Sequence, residues 1–374
     1  MSIKWFSGKH TTLTRLVAVA AASVVVGMAV GIVLFHLWTK PMAPSLPTLV
    51  PTATQGPTAT PSKPTTAATT PAATSAASAQ LTPTPTPTPS APTPTPMCGG
   101  PASMTILAVG TNRGFYDLAD VIRVVRIDFV HGEVYVVPLP RDLKVTLPSQ
   151  ATTYPSPQKI NEGYFLGTPV WDSKANSAGG AALLAQTLAY NFGISVDHYI
   201  VVSGQSFQDL VDAVGGVQVY LPAPVKDENQ AHADFPAGAQ TLDGYHAWLL
   251  ARIRKNVGDL GRIQRQSMIL KSLLQRLTHP SVLPQLPQLV KLYKRLVMTD
   301  LSAQDISYLL CFAQRVPNVA DHVHFYKVPR DLLNEQGEII YIGKEKSSVP
   351  QDVLLWDERY KQWLHDALEG RVQP

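Results

Sequence analysis

The feature that most constrains this chain is a proline-rich tract in its N-terminal third. Residues 41–97 contain fifteen prolines and one charged side chain, Lys63. Proline lacks the N–H group that helices and sheets require, so the tract predicts an extended stalk with polyproline II character. The simplest role of such a stalk is a spacer that holds a domain away from a surface. A folded core must therefore come from residues 98–374, which are numerous enough to bury a substantial interior.

A long apolar run precedes the tract. Residues 16–35 carry no charge, and as a helix they would cover the roughly 30 Å hydrocarbon core of a bilayer. Lys4, Lys9 and Arg15 lie on the N-terminal side of the run, which favours a cytoplasmic N-terminus. The alternative is a cleaved signal peptide, whose apolar region is normally shorter. We expect a single-pass protein of the cell membrane with a cytoplasmic tail (1–15), a transmembrane helix (16–37), a disordered stalk (41–97) and an extracytoplasmic domain (98–374).

Charge and cysteine content add two weaker constraints. The formal net charge is +4, which gives little support to a nucleic-acid-binding protein. The two cysteines, Cys98 and Cys311, could pair in an exported domain or remain free thiols, with Cys311 buried in a helix. Pairing is the prediction that we test, because it would join the start of the domain to a helix near its end.

Strands and helices alternate beyond residue 98. The β-branched runs at 121–128 and 133–138 flank a turn at His131-Gly132 and predict a hairpin, and Gly193 ends a helical pattern that starts at Ala178. Further strands are predicted at 104–110, 198–202, 217–221 and 322–328, and further helices at 207–214, 242–253, 262–277, 282–296, 306–314 and 354–368. The alternation predicts an α/β (or α+β) fold, in which a mixed central sheet packs between helices in a layered sandwich.

The usual catalytic signatures are absent from the sequence, and arginine-rich segments remain. There is no P-loop, no dinucleotide-binding glycine motif, no HExxH, no CxxC and no GxSxG elbow. The arginines occur in three patterns: Pro140-Arg141-Asp142, Arg252-Ile253-Arg254 and the segment GRIQRQ at 261–266. A guanidinium matches phosphate oxygens in a way that an ammonium does not, so these arginines favour a phosphate or pyrophosphate site.

Explanations that need no ligand also exist for these arginine patterns. Arg141 could form an ordinary surface ion pair. Arg252 and Arg254 could compensate the dipole at the end of a helix. Arg262 would oppose the dipole of a helix that begins near Gly261 unless an anion is bound there, and this favours an anion site.

Together the segments resemble the LytR-CpsA-Psr family of cell-wall phosphotransferases. The matching segments are ILAVGTNR (106–113), VVRID (124–128), VPLPRDLKV (137–145), KINEGY (159–164), DHYIVVSGQSF (197–207), LVDAVGGVQVYLP (210–222), LDGYHAWLLARIRK (242–255) and DLGRIQRQ (259–266). The resemblance implies a mixed sheet between helices and a long hydrophobic pocket for a polyprenyl chain. It also implies transfer of a glycopolymer from a polyprenyl-pyrophosphate carrier to peptidoglycan, aided by Mg²⁺.

The resemblance also implies the site residues. By motif, the pyrophosphate-binding residues would be Arg141, Lys159, Arg252, Arg254, Arg262 and Gln266. Catalytic roles would fall to Asp120, Arg141 and Arg262, and Mg²⁺ would be bound by Asn112 and Asp120. Phosphoryl transfer depends mainly on positioning and charge stabilisation, which a cluster of arginines can supply.

The chain departs from the family pattern at two positions. Asn112 stands where the family usually has a metal-binding aspartate, and Leu118 stands where it has an arginine. Asp117 could replace the lost carboxylate, and Arg113 or Arg123 the lost arginine. These substitutions favour a second hypothesis, a catalytically impaired module that binds polyprenyl phosphates. A wall-tethering protein without a ligand is a third hypothesis, whereas transcriptional regulation is disfavoured because only fifteen residues precede the apolar run.

The expected topology can be tested with reporters fused after residue 374. Because the positive flank precedes the apolar run, the C-terminus should lie outside the cytoplasm. A reporter that is active only outside the cytoplasm should therefore be active in the fusion, and a reporter that is active only in the cytoplasm should be silent. The opposite pattern would contradict the topology.

Overall fold

The computed structural model describes residues 41, 43–46, 95–149, 152, 156–168, 179–228, 233–279, 297–342 and 349–374. The predicted helix at 282–296, the predicted membrane span at 16–37 and most of the predicted stalk lie outside these ranges. Among the helices that are described, none has both the length and the apolar character needed to cross a bilayer.

Short strands and medium-length helices make up the described part of the chain. The strands are β1 (Ser103–Thr111), β2 (Ala119–Asp128), β3 (Glu133–Leu139), β4 (Lys144–Val145), β5 (Gln158–Lys159), β6 (His198–Ser203), β7 (Val217–Leu221), β8 (Val225–Asp227), β9 (Ala233–Phe235), β10 (Gly238–Leu242), β11 (Val297–Thr299), β12 (Val323–Phe325), β13 (Leu333–Ile342) and β14 (Val349–Trp356). The α-helices are α1 (Ile160–Leu166), α2 (Gly179–Phe192), α3 (Gly204–Ala213), α4 (Gly244–Leu250), α5 (Gly258–Leu277), α6 (Ala303–Arg315) and α7 (Glu358–Leu368). Single 3₁₀ turns occur at Met97–Gly99, Val319–His322 and Arg330–Leu332.

Six strands form the central sheet in the order β11-β6-β1-β2-β3-β12. The neighbours β1, β2 and β3 run antiparallel, as the predicted hairpin requires. Strand β6 is parallel to β1, and β12 is parallel to β3. The mixed sheet and the hairpin are therefore confirmed.

Each face of the sheet carries its own core. On one face Leu107 and Val124 pack with residues of α2 and α7 such as Leu184. On the other face Ile106 packs with Phe312 of α6, and α3, α4 and α5 form a further cluster with β7. Burial of one such side chain contributes roughly 1.5–3 kcal/mol, so these clusters account for the layered sandwich that the sequence predicts.

The predicted helix at 354–368 is wrong in its first turn. Residues 354–356 belong to β14, and α7 begins at Glu358. The Asp357 carboxylate accepts hydrogen bonds from the backbone N–H groups of Arg359 and Tyr360. A side chain that satisfies the free N–H groups of a first turn determines where a helix begins.

The predicted helix at 242–253 is shorter at both ends. Leu242 belongs to β10, and the Asp243 side chain caps α4 by accepting from His246 N–H. The helix ends at Leu250. Arg252 and Arg254 therefore lie in the connection between α4 and α5, just beyond the C-terminal end of α4.

The first described residues of the chain contact the domain. The Tyr199 hydroxyl donates to the Pro44 carbonyl oxygen at 3.1 Å, and Leu46 N–H donates to Asp300 Oδ2 at 3.4 Å. Ala43 and Leu46 also pack against the core cluster that contains Leu107. These residues fall inside the segment expected to be a stalk, yet they belong to the folded surface.

A disulfide joins Cys98 to Cys311, as predicted. It connects the turn at Met97–Gly99 to α6 across 213 residues of sequence. Met97 N–H also donates to the Phe129 carbonyl oxygen at 2.9 Å. The start of the domain is therefore fixed both to the end of β2 and to α6.

Removal of this disulfide should lower the free energy of unfolding by about 2–4 kcal/mol, because the bond restricts a long loop of the unfolded chain. Cys311→Ser and Cys98→Ser should have the same effect in denaturant titrations of the oxidised protein. The double variant should be no less stable than either single variant. Equal stability of parent and variants would show that the disulfide does not form.

Candidate functional site

The site begins at an irregularity between β1 and β2. Gly110 pairs with Val121, but Thr111 pairs with Ala119, so Asp120 is the extra residue of a bulge. A bulge changes the direction of the side chain that it carries. Here it places Asp120 beside arginines from two other segments.

Arg141 lies at the centre of the charged cluster. It follows β3, and its Nη1 donates to Asp120 Oδ1. Its Nε lies 3.6 Å from both Asp142 Oδ2 and Asp259 Oδ1. Burial alone would lower the pKa of Arg141, but these three carboxylates outweigh burial and raise that pKa. The guanidinium is thus held in a fixed position and remains charged.

Lys159 joins the cluster through one of the same carboxylates, that of Asp142. Its Nζ donates to Asp142 Oδ1 at 2.9 Å. Lys159 ends β5, which pairs with β4 directly after the Arg141 loop. Because β4 and β5 pair, Lys159 and Arg141 contact the same carboxylate, that of Asp142.

The first two turns of α5 supply the second half of the cluster. Arg262 Nη2 lies 2.7 Å from Asp259 Oδ1, and Arg262 Nη1 lies 3.9 Å from Asp120 Oδ1. Both Arg262 and Asp259 are largely buried. Burial raises the pKa of the Asp259 carboxyl and lowers that of the Arg262 guanidinium, so each charge depends on its neighbours.

The expectation that α5 starts near Gly261 is wrong. The helix begins at Gly258, and Gly261 N–H already bonds the Val257 carbonyl oxygen at 3.2 Å. Arg262 therefore lies beyond the free N–H groups of the helix N-terminus. The positive potential of the site comes from guanidinium groups, with Asp259 in the first turn meeting the helix dipole.

Arg252 forms a separate contact at the end of β1. Its Nη1 donates to Asn112 Oδ1, and its Cζ lies 4.5 Å from the ring centroid of Trp248, a cation–π distance. Gly204 leaves room for the Trp248 ring, because a Cβ at position 204 would lie 2.5 Å from Trp248 Nε1. Asn112, which replaces the usual aspartate, thus binds an arginine.

Of the remaining predicted residues, Gln266 bonds a neighbouring segment and Arg254 is exposed. Gln266 Nε2 donates to the Ala251 carbonyl oxygen at 3.1 Å, and Arg265 Nη1 donates to that of Ile253 at 2.9 Å. Both bonds hold the Arg252 segment against α5. Arg254 is exposed, although its charge acts to lower the pKa of Asp259.

An apolar cavity of about 210 Å³ adjoins the cluster. It lies between the sheet and α3, α4 and α5, with Ile200, Phe207 and Leu273 among its apolar wall residues. Arg252 and Arg262 also line it. An apolar cavity therefore lies beside the charged groups, but of the four expected arginines only Arg252 and Arg262 line it, while Arg141 lines a second, narrower pocket and Arg254 lines neither.

Three guanidinium groups line the narrow pocket: Arg123, Arg141 and Arg262. In each of them the buried Nε has no hydrogen-bond partner. Buried polar groups without partners are uncommon in folded proteins. The pocket itself has no room for a water molecule and Asp120 also lines it, so an anion would reach these N–H groups from the adjoining apolar cavity, which Arg123 and Arg262 line as well.

Several groups of this site were not assigned from the sequence. Asp142 and Asp259 stand inside the quoted motifs, and the positions of Arg141, Lys159 and Arg262 depend on them. Trp248 also lies within a quoted motif. Asp142 bonds Lys159 over a separation of 17 residues, and Asp259 contacts Arg141 in a different segment, so local patterns do not reveal these roles.

The residues expected to bind Mg²⁺, Asn112 and Asp120, lie at adjoining ends of β1 and β2. An oxygen of each already accepts from an arginine. Among the described residues, no group of three or more acidic, histidine or cysteine side chains is placed to hold a metal ion. The donors fit Mg²⁺ only in part, since one carboxylate and one amide oxygen leave the remaining ligands to substrate phosphates and water.

Comparison with known proteins gives consistent matches. The family model described as LytR_cpsA_psr family matches residues 96–351. The polyisoprenyl-teichoic acid–peptidoglycan teichoic acid transferase TagU of Oceanobacillus iheyensis is 29% identical over 218 residues, which cover 56% of this chain and 62% of TagU. The cell wall biosynthesis protein LcpA of Corynebacterium glutamicum is 31% identical over 241 residues, which cover 59% of this chain and 45% of LcpA.

Among solved structures, B. subtilis TagV has a TM-score of 0.53 and 23% identity, covering 71% of this chain and 97% of the TagV chain. This likeness shows the shared fold. The matched regions span less than two thirds of TagU and of LcpA. The family model, however, covers more than half of the chain, and the chain therefore belongs to the LytR_cpsA_psr family.

Proposed function

We propose that this protein transfers a glycopolymer from a polyprenyl-pyrophosphate carrier to peptidoglycan at the outer face of the cell membrane. The observation that carries the proposal is the junction of the apolar cavity with a pocket of three buried guanidinium groups. A lipid pyrophosphate has an apolar chain joined to two phosphates, so its site must offer an apolar cavity and positively charged groups side by side. The names of TagU and LcpA, a teichoic acid transferase and a cell wall biosynthesis protein, support the same activity.

The proposed reaction is a phosphoryl transfer. A peptidoglycan hydroxyl oxygen attacks the phosphorus that carries the glycopolymer, and the bond from that phosphorus to the bridging oxygen breaks. The glycopolymer becomes linked to peptidoglycan by a phosphodiester, and polyprenyl phosphate leaves. The proton of the hydroxyl balances the charge of the released phosphate.

Arg141 and Arg262 would stabilise the charge that develops on the phosphate oxygens. Carboxylates hold both side chains in place before substrate binds, so little reorganisation is needed. Arg252, Lys159 and Gln266 would position the remainder of the pyrophosphate, with Arg254 as an exposed charge near the entrance. Because the charged form of Arg262 is disfavoured by burial, a bound anion would offset part of the desolvation cost.

Mg²⁺ would be held by Asp120 and Asn112 together with substrate phosphates, and it would supply positive charge to the pyrophosphate. Asp120 would exchange part of its contact with Arg141 for the metal. This arrangement makes metal binding dependent on substrate, because the protein alone offers few hard oxygen ligands.

A second function is favoured by one observation. Asn112 binds Arg252 where a metal-binding carboxylate would be expected, and Leu118 contributes no charge. A protein of this kind could bind a polyprenyl phosphate or pyrophosphate without transferring it. The two functions differ in turnover and not in binding, so one assay separates them.

The assay combines the full-length protein in detergent with a polyprenyl-pyrophosphate-linked glycopolymer, peptidoglycan and Mg²⁺. We expect covalent attachment of the polymer and release of polyprenyl phosphate. Arg141→Ala should lower the rate by about 10²–10³-fold, the usual effect of removing one charge-stabilising donor. Arg315→Ala, at an exposed arginine that ends α6 and lines neither cavity, is the matched control. Binding without any transfer by the parent would favour the impaired module.

Arg262 and Arg254 should differ in their effects on stability. Arg262→Lys should lower the free energy of unfolding by about 1.5–3 kcal/mol, because one ammonium cannot reach both Asp259 and Asp120. Arg254→Lys should change it by no more than about 0.5 kcal/mol, since Arg254 is exposed. Denaturant titration of both variants tests the difference. Similar losses would contradict the buried network around Arg262.

The metal prediction concerns Asn112 and Asp120. Asn112→Asp should raise Mg²⁺ affinity several-fold, because it restores a carboxylate, and Asp120→Ala should almost abolish binding. Calorimetric titration with Mg²⁺, with and without geranylgeranyl pyrophosphate, measures both. Asp234→Asn is the control, since Asp234 is an exposed carboxylate that pairs with Lys226 and lines neither cavity. Equal affinity in the parent and Asn112→Asp would show that position 112 does not face the metal.

A further inference from the structure

Arg123 is the one arginine of the narrow pocket that the family motifs do not assign. It lies in the middle of β2, and its side chain is almost fully buried, with 2% of the residue exposed. Its Nη1 donates to Ser267 Oγ at 3.1 Å and its Nη2 to the Ile263 carbonyl oxygen at 3.3 Å. Its Nε, also buried, has no partner.

The charge of Arg123 is not balanced by the protein. Among the described residues no carboxylate lies within 4.0 Å of its guanidinium, in contrast to Arg141 and Arg262, and both of its hydrogen-bond acceptors are uncharged. Burial lowers the pKa of Arg123 to about 10, which leaves it protonated at neutral pH. A buried, unpaired charge costs several kcal/mol. Hydrophobic side chains of similar size would fill the same volume without that cost.

The position of Arg123 explains what could balance this charge. It lines both the apolar cavity and the narrow pocket, so it stands at their boundary. Its guanidinium is held against the same two turns of α5 that carry Arg262 and Gln266. On β2 it lies three residues further into the sheet than Asp120, roughly 10 Å along the strand.

We propose that Arg123 binds the phosphate attached directly to the polyprenyl chain, the phosphate that leaves with the lipid. The proposal rests on the proposed function and adds to it a residue that no motif supplies. At the boundary of the two cavities, a phosphate joined to an apolar chain is the anion that fits, because its chain can lie in the apolar cavity. Arg123 then replaces, from the middle of the strand, the positive charge missing at Leu118.

The same position predicts which ligands Arg123 distinguishes. A prenyl phosphate and a prenyl pyrophosphate both carry the lipid-linked phosphate, so both need Arg123. A prenyl alcohol has no anion and should leave the arginine charge uncompensated. The loss of Arg123 should therefore weaken binding of the two phosphates and leave the alcohol unaffected or bound more tightly.

The test uses the full-length protein in detergent and three probes: geranylgeranyl pyrophosphate, geranylgeranyl phosphate and geranylgeraniol. Arg123→Met keeps an apolar chain of similar length, and we expect at least a tenfold loss of affinity for both phosphates with none for the alcohol. Arg123→Lys keeps the charge and should recover most of the affinity. Arg126→Met is the matched control, an arginine on the same strand that lines neither cavity.

Stability provides an independent readout. Because the Arg123 charge is unpaired in the protein alone, Arg123→Met should unfold at an equal or higher denaturant concentration than the parent. Geranylgeranyl phosphate should then stabilise the parent and Arg123→Lys but not Arg123→Met. If Arg123→Met is instead unstable, or loses the alcohol as strongly as the phosphates, the arginine has a packing role and the inference is wrong.

Failure of the inference and failure of the proposed function have different signatures. If the parent binds prenyl phosphates, Arg262→Lys weakens that binding and Arg123→Met does not, then only the inference fails. If the parent binds none of the phosphates, both fail. If Arg123→Met loses the phosphates selectively while the parent shows no transfer, the inference stands and the protein is the binding module.

Discussion

The contacts of Arg141 are the interaction on which the site depends. One guanidinium holds Asp120 from the β1–β2 bulge, Asp142 from its own loop and Asp259 from α5. These carboxylates in turn position Lys159 and Arg262. A sheet end, a loop and a helix are thereby joined by charge and not only by apolar packing. A single change at Arg141 would remove the cation that three carboxylates share, while Asp142 would keep Lys159 and Asp259 would keep Arg262 as partners.

The site keeps excess positive charge in a place with little water. Three buried guanidinium groups have an N–H without an acceptor, and Arg123 has no carboxylate at all. The free-energy cost of burying a charged group without a partner is tolerated where a ligand supplies that partner. With no anion bound, the buried charge of Arg123 therefore carries a desolvation cost that an apolar side chain would not carry.

The sequence predicted those parts of the structure that depend on local pattern. β-branched runs located β2 and β3, and Gly193 located the end of α2. The family resemblance implied that Arg141, Arg252, Arg254 and Arg262 gather beside an apolar pocket; Arg252 and Arg262 line the apolar cavity, whereas Arg141 lines the narrower pocket and Arg254 lines neither. The start of α7 was missed because the apolar residues 354–356 fit a strand or a helix equally, and only the Asp357 cap decides between them. The role of Asp259 was missed and Arg123 was named only as one of two substitutes for the lost arginine, because both roles follow from burial, which depends on the packing of α5 against the sheet.

The contacts of Pro44 and Leu46 change what the proline-rich tract can do. Both residues lie on the domain surface, and the domain begins again at residue 95 on the far side of the tract. If residues 16–37 cross the bilayer, only residues 38–42 separate the membrane from the domain, a reach of at most about 18 Å. The length of the tract would then have no influence on the height of the domain. Under the proposed function, a domain this close to the lipid would reach a polyprenyl carrier without the carrier leaving the bilayer completely.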